Sequence, residues 1–224
     1  MKRIEQNMRK RACGSEKGTS IIEFAVVSIV LIPLLFGVVA FGVNLGHTTQ
    51  VIQISRDVGH MYAKGVDFSL PGNQNIVVNL ATPMGMTSTT AGNGVVILSR
   101  IQQVYTSDCT ANGLSGGSCS NNGADVIVNR IVIGNSSYQS QYGNPSSSEI
   151  DSSGNVAPGG TNSSGYLNDP GAVATGFSSL LASAGITLAS GQVAFLSEAY
   201  FITPDVSYLG GPASGGIYAK TVFF

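Results

Sequence analysis

Between Phe24 and Leu45 lie 22 residues with no charge and few polar side chains, Ser28 and Asn44 among them. In an apolar solvent such a run satisfies its backbone only as a helix. It exceeds the roughly 7 to 15 residues of a secretory signal core and reaches the ~20 needed to cross hydrocarbon. The segment therefore reads as a permanent anchor. Removal of the whole helix is the lesser reading: Gly42, Asn44 and Gly46 are small, but no A-x-A cleavage site follows. Cys13 precedes the run and so does not read as a lipoprotein cysteine.

Charge gives the helix a direction. Lys2, Arg3, Arg9, Lys10, Arg11 and Lys17 stand before residue 18 against Glu5 and Glu16, a net +4, whereas five bases and ten acids follow Gly18, a net -5. A basic block before an apolar span keeps the amino terminus cytoplasmic, so the rest is exported. Only 10% of the chain is charged and its net charge is -1, which makes no case for nucleic-acid binding.

Beyond Leu45, Val51, Ile54, Val58 and Met61 recur at helical spacing with polar residues between them. One helix is expected from about Ile21 to Lys64, with Gly65 as its stop. Its second half is amphipathic and needs a partner. Segments 95 to 105, 125 to 134, 192 to 202 and 217 to 224 are rich in β-branched and aromatic residues and read as strands, with 76 to 80 as a fifth. Residues 171 to 185 read as a short helix. The fold class is α+β, a long helix followed by a small, mainly antiparallel sheet with long Ser/Gly/Asn-rich loops. The divisions are a leader 1–18, a transmembrane helix 19–46, its amphipathic continuation 47–65 and an exported domain 66–224. Within that domain 135–170 reads by composition as a flexible surface insertion, with Tyr138, Tyr142 and Tyr166 as contact residues in the functional alternative.

Cys109 and Cys119 flank a turn-rich stretch on the exported side, where disulfides persist, and are expected to pair rather than stay free. Without a matching His pair they make a poor zinc site. No metal site or cofactor is expected. There is no G-x-x-x-x-G-K-[ST], H-E-x-x-H or G-x-S-x-G, and His47 and His60 are too far apart on one helix to share a metal. The 210 to 216 stretch reads as a hairpin loop. Arg130 and Glu198 interrupt apolar strands and would pair if those strands were neighbours. No catalytic residues are identified, and the chain does not read as an enzyme.

One feature remains: a basic leader ending Lys17-Gly18, then "TSII", then Glu23-Phe24 and the apolar run. It resembles the class III signal of the type IV pilin superfamily. With Pro33, "RDVGHMYAKG" and "SEAYFITP", the chain is similar to TadE-like minor pilins, or pseudopilins, of tight-adherence systems. The resemblance implies a cut by a prepilin peptidase between Gly18 and Thr19, leaving Glu23 as the fifth mature residue. It further implies that Glu23, Phe24 and Pro33 serve assembly with other pilins and pilus-assembly proteins. The location implied is the bacterial inner membrane, single-pass, with a periplasmic carboxy-terminal domain, or the surface pilus after assembly. "DSSGN" (151 to 155) lacks the D-x-S-x-S spacing of the adhesion motif of longer relatives. The rival expectation is a membrane-anchored periplasmic enzyme or ligand-binding protein that keeps its leader.

Overall fold

A computed structural model describes residues 16–115, 117–161, 163–202 and 216–224. Most of the basic leader, Cys13 and nearly all of the 210 to 216 loop lie outside them. Helix α1 spans Glu16–Ala63 and contains Pro33 without interruption. It ends as its glycine foretells. Gly65 takes φ +87, its N–H donates to the Tyr62 carbonyl at 3.0 Å, and Val66 N–H reaches the Met61 carbonyl at 3.0 Å. These are the paired bonds of a Schellman stop, which a residue with a Cβ would strain. The chain divides into two units near Gly46, an amino-terminal helical unit and a folded domain beginning at His47.

The remaining elements all belong to the folded domain. They are α2 (Pro71–Ala81), β1 (Gly94–Gln103), α3 (Thr106–Ala111), β2 (Asp125–Gly134), α4 (Phe177–Ser183), β3 (Val193–Ile202) and β4 (Gly216–Phe223). The four strands form one antiparallel sheet in the order β2-β1-β3-β4. Alternating strand side chains divide between two faces. On one, Val96, Leu98, Ile133 and Phe201 pack with Val51, Ile54 and Val58 of α1. On the other, Ile101, Ile127 and Leu196 pack with Tyr142, Phe177 and Leu181. Each such large side chain contributes about 1.5–3 kcal/mol when fully buried.

The helix comes close to the sheet because two of its residues are small. Ser55 is fully buried and its hydroxyl donates to the Ser197 carbonyl at 3.0 Å. At Gly59 a Cβ would stand 2.7 Å from the Phe223 ring and 2.8 Å from Ser197 Cβ. Nearby, Tyr62 donates its hydroxyl proton to Asn129 Oδ1 at 2.7 Å, satisfying two buried polar groups together.

Four expectations require correction. Residues 76 to 80 lie in α2, not in a fifth strand: Pro71 opens the helix, and buried Val77 and Ala81 are four apart, the spacing of one helical face. Within 171 to 185, the α-helix is confined to Phe177–Ser183 and follows a separate 3-10 turn at Pro170–Ala172. Arg130 and Glu198 are not on neighbouring strands, since β1 separates β2 from β3. Nor do 135 to 170 merely lie over the surface: Tyr142, Val156 and Leu167 are buried, and Arg130 donates from Nη2 to the Gly143 carbonyl at 2.8 Å. A few apolar residues spaced through a polar sequence anchor it, which average composition conceals.

Cys109 and Cys119 are bridged, with Cα atoms 5.9 Å apart, inside the usual range for a disulfide. Val104, Val126 and Leu167 pack around them. Asp151 spends its carboxylate on a local turn, accepting the N–H groups of Ser153 and Asn155 at 2.8 Å each.

Candidate functional site

In the amino-terminal unit, α1 carries Gly18, Thr19, Glu23 and Phe24 on its first turns. Thr19 and Glu23 are one turn apart, about 6 Å along the axis, and Pro33 lies roughly 15 Å beyond Glu23. The helix therefore groups the first four residues but not Pro33 with them. Glu23 and Phe24 are exposed, and among the described residues no cation pairs with the carboxylate. Pro33 supplies no N–H to the Ile29 carbonyl, leaving that acceptor open.

From Ile21 to Leu45 the large apolar side chains stand exposed. Among the described residues this is one helix long and apolar enough to cross a membrane. A Cβ added at Gly37, Gly42 or Gly46 would meet no atom within 4 Å, so these positions leave room for close approach by another helix. Such a surface gains nothing in water. It suits lipid or neighbouring helices.

The folded domain has a site of another kind. Between β1, β3, β4 and the beginning of the 135 to 170 segment lies a cleft of about 390 Å³, lined by Val95, Ile97, Tyr138, Gln141, Tyr200 and Tyr218 together with Glu198. Glu198 is only 2% exposed. Its Oε1 accepts from Gln141 N–H at 3.0 Å and from the Tyr218 hydroxyl at 2.8 Å, while Oε2 accepts from the Ser140 hydroxyl. Burial, followed by the charge and hydrogen bond of Glu198, raises the Tyr218 pKa and keeps the phenol protonated. Burial likewise brings Arg130 down to about 10, partly opposed by the Glu198 charge. Lys220 faces Glu198 in register, but its Nζ donates to the Tyr142 hydroxyl.

Among the described residues of the cleft, every hydrogen bond that Glu198 accepts comes from a hydroxyl or a backbone N–H. The carboxylate is occupied by neutral donors.

Residues 18–59 match the TadE-like protein family. The TadE-like segment thus begins at Gly18 and takes in the exposed apolar stretch and, as far as Gly59, the part of α1 that lies on the sheet. The TadE-like family is a structural one associated with pili. No curated protein and no solved structure matches the chain. The domain beyond the TadE-like segment is thus described by its own geometry alone.

Sequence reasoning found the TadE-like segment and the cysteine pair but not the cleft. Tyr138 was singled out within the insertion, and Glu198 as a charge inside a strand. Their meeting with Tyr200 and Tyr218 depends on strand order. A signal was present in the alternate polar and aromatic positions of "SEAYFI", where Glu198 and Tyr200 share one face.

Proposed function

We propose that this chain is a minor pilin or pseudopilin that takes part in assembly of a Tad-type adhesive pilus. The observation that carries the reading is the TadE-like match beginning at Gly18, with a glutamate five residues on and an exposed apolar helix behind it. A prepilin peptidase cuts between Gly18 and Thr19 on the cytoplasmic face, and the helix holds the protein in the inner membrane until assembly. The folded domain is periplasmic and supplies contacts to other pilins and pilus-assembly proteins.

Glu23 has a physical task in this scheme. Cleavage creates a cationic amino group on Thr19, and in a medium of low dielectric the Glu23 carboxylate of one subunit attracts that group on the next. Burial without such a partner costs several kcal/mol. Phe24 and the open glycine positions add packing once helices meet. Pro33 loosens the helix where neighbours surround it.

The test separates processing from assembly. Mass spectrometry of the mature amino terminus should find Thr19 first. Glu23→Gln should insert and be cut normally, yet co-purify poorly with other pilins and reduce surface piliation. A chain that keeps its leader would favour the anchored periplasmic protein instead. Full assembly of processed Glu23→Gln would remove the role given to the carboxylate.

A further inference from the structure

We infer that the cleft beside Glu198 is a binding site for a neutral, hydroxyl-rich ligand, a short glycan. The argument starts from what lines it. Tyr138 and Tyr200 have ring centroids 4.9 Å apart at 59°, forming a tilted aromatic corner. The Tyr200 ring lies over Gly216, where any Cβ would overlap it, so the backbone reserves space for the ring. Aromatic rings bury the apolar C–H face of a sugar while their hydroxyls stay polar. Gln139 and Gln141 are exposed at the same rim and offer both donors and acceptors.

Charge narrows the ligand. Among the described residues no Lys or Arg lines the cleft, and Lys220, the cation nearest in register, is engaged by Tyr142. An anionic ligand would therefore meet only a buried carboxylate of its own sign. A cationic ligand would seek that carboxylate, but Glu198 is 2% exposed and already accepts three hydrogen bonds. It is a positioning residue: it holds the Tyr218 and Ser140 hydroxyls and the Gln141 backbone N–H in place. A neutral polyol needs what is left, namely ring faces, amides and phenol oxygens. The volume, about 390 Å³, falls in the ~300–1,000 Å³ range of small-molecule sites.

Occupancy of this cleft is independent of pilus assembly and can be measured on the isolated protein. The full chain, in a detergent without a sugar headgroup, is titrated with chitotriose and cellotriose, with sialyllactose as the anionic probe and Nα-acetyl-lysine amide as the cationic one. Saturation-transfer NMR and calorimetry read binding. Saturable binding of a neutral oligosaccharide is expected, weakened about tenfold or more by Tyr138→Ala and measurably by Gln141→Ala. Gln141 has an exposed side chain, so its loss leaves the core untouched, and an unchanged thermal midpoint verifies this. No saturable binding of either neutral sugar overturns the assignment. Tighter binding of the lysine amide or sialyllactose overturns the ligand class, and sugar binding unaffected by both substitutions overturns the location.

Discussion

The Ser55 hydroxyl donates to the Ser197 carbonyl across 3.0 Å, and it also lies 3.2 Å from the Thr221 hydroxyl. One hydroxyl thus ties the TadE-like segment to β3 and β4, which lie outside the family match. The contact is fully buried at Ser55, where a lost partner leaves the Ser197 carbonyl with one acceptor interaction fewer. Ser55→Ala should cost about 1 kcal/mol of domain stability by urea denaturation. Insertion of the anchor should be unchanged.

Gly59 makes the same junction by shape. Because a Cβ there would press on Phe223 and Ser197, Gly59→Val should overpack the interface. A loss of about 1–3 kcal/mol is expected in denaturant unfolding of the full chain. Gly42→Val, at an open position, should leave that midpoint in place.

Processing is predicted to depend on the size of residue 18. A bulky Gly18→Trp obstructs close approach to the scissile peptide at the membrane surface. Full-length chain should accumulate in the membrane, read as a mass higher by the leader. Normal maturation of this variant would remove the cleavage assignment.

Reduction of the Cys109–Cys119 bridge should loosen the region around Val104 and Leu167. With a sequence separation of 10, the bridge restrains the unfolded chain by roughly 2 to 3 kcal/mol. Cys109→Ser should lower the unfolding midpoint accordingly while leaving insertion and cleavage intact. Non-reducing peptide mapping should recover the linked pair from the native protein.

Asp125 gives a pH signature. Burial raises its carboxyl above the ordinary 3.8, so the folded state holds this proton more tightly than the unfolded chain. Its contribution to stability is then fully present below that ordinary value and is lost as pH rises through the raised one. Asp125→Asn removes the charge without changing the shape. The variant should be more stable than the native chain at neutral pH, with a flatter dependence across the acid range above 3.8, measured by urea midpoints at successive pH values.

The sequence by itself determined the features whose physics is local. Twenty-two uncharged residues require a helix in lipid, and Val51, Ile54 and Val58 declare a buried stripe that the structure places on the sheet. The strands at 125 to 134 and 193 to 202 were legible from β-branched and aromatic density, and the Gly65 stop from its tolerance of positive φ. Strand order was not legible, because hydrogen bonding between strands leaves no mark on composition. Only the tertiary structure set β1 between Arg130 and Glu198, so each meets the 135 to 170 segment rather than the other. That same order carries Tyr200 beside Tyr218 and, with Tyr138 brought over from the insertion, builds the cleft. Residues 76 to 80 became helix because their environment buried positions four apart, and a short apolar run is compatible with either period until packing selects one.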